Sequence, residues 1–289
     1  MIIVITGPTA VGKTKLSIEL AKKYNAIIIN CDAMQVYKDL NIGTAKVKEE
    51  EKEGIKHYLL DIKEVEEDYS VYDYQKDARN IIDNNKDKNI IFVGGTGLYL
   101  KAALYDYRFQ EENNNANTYE EYTNEELYKL VLKKNKNIDI HPNNRKRLIR
   151  YLNKENTLEV EPKPLYNHLI IGLTTDRDKL YEIINNRVDK MFEEGLLKEV
   201  ENLYNKGINS KSINTGIGYK ELYKYFNKEI TLEEAKELIK KNSRHYAKRQ
   251  YTFFNNQLKV NWFMVDYNNF DNTINNVIKR IEEEYDRSK

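Results

Sequence analysis

Residues 7–14, Gly-Pro-Thr-Ala-Val-Gly-Lys-Thr, decide how this chain is read. They satisfy the full spacing of a phosphate-binding loop, two glycines with four residues between them and then Lys-Thr. Glycine lets backbone N–H groups turn inward, and a lysine and a hydroxyl follow at the start of a helix. The candidate phosphate contacts are Gly7, Pro8, Thr9, Ala10, Val11, Gly12, Lys13 and Thr14. Lys13 can reach a terminal phosphate, and the Thr14 hydroxyl can hold Mg²⁺. The context supports the motif. The β-branched run IIVIT at 2–6 reads as a buried strand, and KTKLSIELAKKY places Leu16, Leu20 and Ala21 on one helical face.

The same alternation continues outward. AIIIN at 26–30 and NIIFV at 89–93 read as further buried strands, and YDYQKDARNIIDNN and TGLYLKAALY as helices. HLIIGLTT and VNWFMVD supply two later strands. A long helical region runs from Asp176 to about Tyr204 with a break near Gly195. Thr231 and Glu234 form a capping box that opens another helix, and residues 272–285 read as the last one. Strands alternating with helices predict an α/β fold, a P-loop NTPase-like parallel sheet with helices on both faces. From residue 107 the chain turns polar and asparagine-rich, with one weak helix at Leu127–Leu132, and EPKP at 161–164 reads as a turn. The expected organisation is core 1–106, a small helical insertion 107–144, and the remainder of the core, with basic helices, at 145–289.

Composition narrows the function. The 289 residues are 40% hydrophobic, enough for a sizeable core, with 47 basic and 46 acidic side chains. A net charge of +1 gives no global attraction to nucleic acid, so such binding must use local patches. One cysteine, Cys31, excludes an internal disulfide and fits a reducing cytoplasm. The apolar start is too short for a signal peptide or membrane span, so no membrane partner is expected.

The loop alone leaves three uses for bound phosphates: hydrolysis, phosphoryl donation, or a diphosphate leaving group. A hydrolase usually carries an acid after a second strand for Mg²⁺ and water. Here NIIFV ends in Gly94-Gly95-Thr96, and the acid is Asp32, after strand 26–30. Two basic patches stand out. Lys236, Lys240, Arg244 and Lys248 recur every four residues, widened by Lys241 and Arg249 and interleaved with Tyr246, Tyr251 and Phe253. Arg145, Lys146, Arg147 and Arg150, with Lys154, form the second.

Nine segments occur in order: GPTAVGKTKLSIELA, CDAMQVYKDLNIGTAK, HYLLDI, YSVYDYQKDA, VGGTGLYLKAAL, IHPNNRKRLIRYL, RVDKMFEEGLLKEV, GIGYKEL and YAKRQYTFF. Together they resemble the bacterial tRNA dimethylallyltransferases, over residues 1 to about 256. The resemblance implies transfer of a dimethylallyl group from dimethylallyl diphosphate to the exocyclic amine of the adenine 3′ of the anticodon in tRNA. Diphosphate then leaves from the loop, with Mg²⁺ at Thr14. It assigns Asp32 as general base, Lys13 and Arg187 as cations on the leaving group, and Thr96 as a substrate contact. It also implies tRNA contacts at Asp32, Ala33, Met34 and Gln35, at Lys146, Arg147, Leu148, Ile149 and Arg150, and at Lys240, Arg244, Lys248, Arg249 and Gln250. The acting species is expected to be a monomer on the anticodon stem-loop.

This chain departs from the family pattern at Ala33, where a serine is usual, at Phe253, where tryptophan is frequent, and in a shorter insertion. Two other enzymes fit part of the sequence. A small-molecule P-loop kinase explains the loop and Asp32 but not the basic helix. A prenyltransferase of free adenine nucleotides needs neither basic patch.

Overall fold

The computed structural model describes residues 1–109, 119–136, 138, 140–153 and 162–286. It divides into two compact units, one of Met1–Tyr107 with Pro164–Lys289 and one of Arg108–Lys163. The larger unit begins with β1 (Ile2–Thr6), α1 (Lys13–Tyr24), β2 (Ala26–Asn30), β3 (His57–Tyr58), α2 (Val71–Asn84), β4 (Asn89–Val93) and α3 (Gly97–Leu104). The smaller unit holds α4 (Asn124–Lys134) and α5 (Arg145–Asn153). The larger unit resumes with β5 (His168–Thr174), α6 (Arg177–Glu193), α7 (Leu196–Asn205), α8 (Lys211–Thr215), α9 (Tyr219–Phe226), α10 (Leu232–Gln257), β6 (Asn261–Met264) and α11 (Phe270–Asp286).

All six strands are parallel, in the order β3-β2-β4-β1-β5-β6. β1 lies between β4 and β5, which explains why every residue of IIVIT is buried. Successive strand side chains alternate faces. Ile2 and Val4 join Ile29, Phe92 and Ile170 in one core, while Ile3 and Ile5 join Ile28, Ile91 and Ile171 in the other. Each face is covered by helices, so the strands read as unbroken apolar runs rather than alternating ones.

Gly195 breaks the long helical region as expected. Its φ of +103° ends α6 and starts α7, a conformation that costs glycine little. Thr231 and Glu234 form the expected capping box, with Thr231 N–H donating to Glu234 Oε2 at 2.8 Å. The edge strand β3 and the short helices α8 and α9 were not read from sequence.

In the smaller unit, Leu148 on α5 is fully buried with Leu127 and Val131 of α4 and with Ile140. The Arg145 guanidinium donates to the Tyr119 and Tyr122 carbonyls. Residues 145–153 thus pack with α4, and the division falls at 163/164 rather than 144/145. Leu148 is corrected from a surface contact to a core residue, and Ile149 packs half-buried beside it. Lys146, Arg147 and Arg150 are exposed. Lys154, residues 110–118 of the polar stretch and Glu161 of the EPKP turn lie outside the described residues.

Candidate active site

The chain leaves β1 toward α1 and β2 on one side, whereas β5 lies on the other side of β1. Such a switch point opens a crevice at the carboxyl edge of a parallel sheet. Three turns meet there: 7–12 after β1, 31–35 after β2 and 94–96 after β4. Backbone comes so close to the first and third of these turns that side chains are excluded at two positions. A Cβ on Gly7 would lie 2.3 Å from the Leu173 carbonyl oxygen, and one on Gly94 would lie 2.2 Å from the Cys31 carbonyl.

The turns line a cavity of about 210 Å³ whose charged members are Lys13, Asp32 and Arg187. Lys13 begins α1 and folds back, its Nζ donating to the carbonyls of Gly7 at 3.1 Å and Pro8 at 2.6 Å. Burial pushes its pKa down to about 7, helped by Arg187 and opposed by Asp32. Burial also lowers Arg187 from its ordinary range, against the pull of Asp32. Asp32 moves the other way. Burial raises its pKa, while the Met34 N–H, Lys13 and Arg187 hold it back. Two cations and one carboxylate around one cavity suit a multiply charged anion beside a site of proton transfer.

Asp32 is held by neighbours that the sequence did not announce. Asn30, buried at the end of β2, donates from Nδ2 to the carbonyls of Asp32 and Leu59 and accepts from the Asp32 N–H at 3.1 Å. Asp32 Oδ1 accepts from the Met34 N–H at 2.9 Å. The only sequence signal for Asn30 is a polar residue closing an apolar strand two positions before an acid. Thr96 Oγ1 accepts from the Ala33 N–H at 3.1 Å, and the Tyr246 phenol lies beside the same hydroxyl. Gln35 donates to the Thr44 and Ala45 carbonyls, and so braces a neighbouring wall of the cavity.

The aromatics on α10 divide. Tyr246 reaches Thr96, whereas Tyr251 bonds Thr174 at 2.7 Å and stacks obliquely on Trp262. Phe253 packs against Gly97.

Among the described residues no group of three or more His, Cys, Asp or Glu side chains could hold a metal alone. Thr14, exposed in the first turn of α1 and lining the cavity, fits a metal that takes most of its ligands from phosphate and water, as Mg²⁺ does.

The expected basic stripe on α10 is only partly free. Lys236 and Lys240 both pair with Asp189 of α6, at 2.9 and 3.0 Å, and Arg244 donates to Asn185. The Lys240 side chain is only 14% exposed. Every-fourth-residue spacing aligned these cations, but that face packs on α6. Lys248, the last member of that line, is exposed, as are Lys241 and Arg249 beside it. Gln250 is corrected from a surface contact: it is 5% exposed and donates to the Gly95 carbonyl under the 94–96 turn. Ala33 and Met34 are half-buried beside Asp32, and Met34 packs against the core.

Comparison with known proteins finds relatives that match most or all of the chain. The family model described as IPP transferase matches residues 35–257. The chain is 47% identical to a tRNA dimethylallyltransferase of Anoxybacillus flavithermus, over 97% of this chain and 96% of that protein. Its fold matches the solved tRNA delta(2)-isopentenylpyrophosphate transferase of Staphylococcus epidermidis with a TM-score of 0.76 and 39% identity, covering 98% and 99% of the two chains. A eukaryotic dimethylallyltransferase acting on tRNA matches with a TM-score of 0.81 and 27% identity, over 100% of this chain and 80% of that one. With the family model spanning most of its length and relatives so similar from end to end, the chain belongs to the IPP transferase family, that of the tRNA dimethylallyltransferases.

Proposed function

We propose that this chain transfers the dimethylallyl group of dimethylallyl diphosphate to the exocyclic amine (N6) of the adenine 3′ of the anticodon in tRNA, releasing diphosphate. One observation carries the chemistry. Lys13 and Arg187, which suit a leaving diphosphate, share a cavity with Asp32, which suits an amine that must lose a proton. The family relationship supports tRNA as the acceptor.

The allylic C–O bond breaks with its electron pair moving to the diphosphate oxygen. Lys13, Arg187 and the N–H groups of the 7–12 loop stabilise the charge that grows there, in a site where burial strengthens each interaction. The amine nitrogen bonds the freed allylic carbon, and its proton passes to Asp32. Burial raises the basicity of that carboxylate, which favours acceptance of the proton. Mg²⁺ at Thr14, when bound, would neutralise phosphate charge.

An adenine stacked in an anticodon loop must leave the stack to reach a cavity of this kind. Exposed Lys248 and Arg249 on α10 and Lys146, Arg147 and Arg150 on α5 suit the RNA backbone. The direct test is mass analysis of tRNA nucleosides after incubation with dimethylallyl diphosphate and Mg²⁺. Dimethylallyl-adenosine in the anticodon loop is the expected product. Its absence, with turnover of ATP in its place, would favour the kinase.

A further inference from the structure

Besides the phosphate loop, the cavity is walled by Thr44, Ala45 and Val47 of the segment 41–47. That segment belongs to no helix or strand; its own backbone bonds close a turn, and side chains fix that turn to the rest of the fold. Three residues supply them. The Lys46 ammonium, 5% exposed, donates to the Tyr37 carbonyl at 2.7 Å and to Asn41 Oδ1 at 3.0 Å and pairs with Asp61. Gln35 holds the Thr44 and Ala45 carbonyls.

The third is Glu199 on α7, which does not line the cavity. Its Oε2 accepts from the N–H groups of Ile42 at 2.8 Å and Asn41 at 3.2 Å. Its Oε1 accepts from Gly43 N–H at 3.2 Å and from the Tyr219 hydroxyl at 2.7 Å. One carboxylate thus grips three consecutive backbone donors and is itself oriented by a buried phenol. Tyr219 also lies against the segment directly, since a Cβ on Gly43 would stand 2.7 Å from its ring.

The cavity has two characters. Lys13 and Arg187 are cationic, whereas Ala45, Val47 and Leu60 are apolar. A prenyl diphosphate has the same two parts. We propose that Glu199 is a positioning residue for this reaction. By fixing the Asn41–Gly43 backbone it sets where Ala45 and Val47 stand, and so the length of prenyl chain that the cavity accepts. The inference rests on the prenyl-transfer reading above.

The test uses the full-length protein, Glu199→Gln and Tyr219→Phe. Glutamine keeps the size of the side chain but leaves one acceptor oxygen in place of two, and phenylalanine removes only the hydroxyl. Three quantities are read: KM and kcat for dimethylallyl diphosphate with tRNA, the inhibition constant of inorganic diphosphate, and the kcat/KM ratio of the five-carbon donor to a ten-carbon one. Glu199→Gln is expected to raise donor KM about tenfold, the scale of one or two lost hydrogen bonds. It should also lower the five-over-ten-carbon preference and leave diphosphate inhibition unchanged. Tyr219→Phe should act in the same direction and more weakly, and it carries the test if the glutamine variant does not fold. Wild-type KM and preference in a folded variant would overturn the proposal. So would a loss of diphosphate affinity in step with KM, which is the mark of general loosening. Failure of the wild-type protein to prenylate tRNA would instead strike the reaction assignment. Calorimetric binding of the five- and ten-carbon diphosphates would still report on the wall.

Discussion

Thr96 accepts a hydrogen bond from the backbone N–H of Ala33 at 3.1 Å. The turn after β4 is thereby fastened to the residue that follows Asp32. The Tyr246 phenol of α10 lies beside the same hydroxyl. Thr96→Val keeps the branched shape and removes the acceptor. An unpaired, partly buried N–H costs about 1–3 kcal/mol. Single-turnover transfer is therefore expected to fall by roughly 5- to 150-fold, by the usual conversion of free energy into rate. Thr96→Ser should stay near wild type, and equal losses in the two variants would remove the hydroxyl from this role.

Lys13 gives the site a pH signature. In the free protein its pKa is pushed down to about 7, mainly by burial. A bound diphosphate favours the charged ammonium and so raises that pKa. The sign follows from linkage. Below pH 7 the lysine already carries its proton and affinity is flat with respect to this group. Above pH 7 binding must take up a proton, and affinity falls by up to about tenfold per pH unit. Titrations of inorganic diphosphate between pH 6 and 9, in buffers of different ionisation heat, would read both the slope and the proton uptake. Lys13→Ala should weaken binding and flatten the slope, and an equal slope in that variant would assign it to another group.

The two groups of cations on α10 should separate in a salt titration. Lys248→Gln with Arg249→Gln removes two exposed charges and should lower the log–log salt slope of tRNA binding by about two counterions. Lys240→Gln with Arg244→Gln instead breaks contacts with Asp189 and Asn185 of α6. That pair should lower the melting temperature and change the salt slope less. The reverse ranking would restore the stripe first read from sequence.

Leu148→Ala probes the corrected contact on α5. Its fully buried side chain joins Leu127 and Val131, and truncation of such a residue costs about 2–5 kcal/mol of packing. Thermal unfolding of the smaller unit should shift down, with donor binding unchanged. An unshifted melt would return Leu148 to the surface.

Much of the fold was legible because parallel strands buried on both faces must be continuously apolar. Residues 2–6, 26–30 and 89–93 announce themselves in this way. The two-residue β3 and the five-residue α8 are too short to show a pattern. At the site, Lys13 and Asp32 were legible from spacing and strand position. Asn30 and Glu199 were not, because each acts on backbone groups that a sequence does not display. The basic stripe misled for a related reason. A four-residue period shows that Lys236, Lys240 and Arg244 share a face, but not whether that face meets solvent or α6. Leu148 sat in a basic run, RKRLIR, and only its packing partners mark it as core.

The central claim is that Asp32 takes the proton of the attacking amine. Asp32→Asn preserves size and keeps an oxygen for the Met34 N–H, while removing the proton acceptor. The measurement is single-turnover transfer to tRNA at saturating donor and Mg²⁺, with separate titrations of tRNA and of diphosphate. The predicted result is a rate lower by about 10² to 10⁴-fold, the usual range for a general base, with both affinities near wild type. A wild-type single-turnover rate would contradict the account, and a loss of diphosphate affinity restored by excess Mg²⁺ would make Asp32 a metal ligand instead.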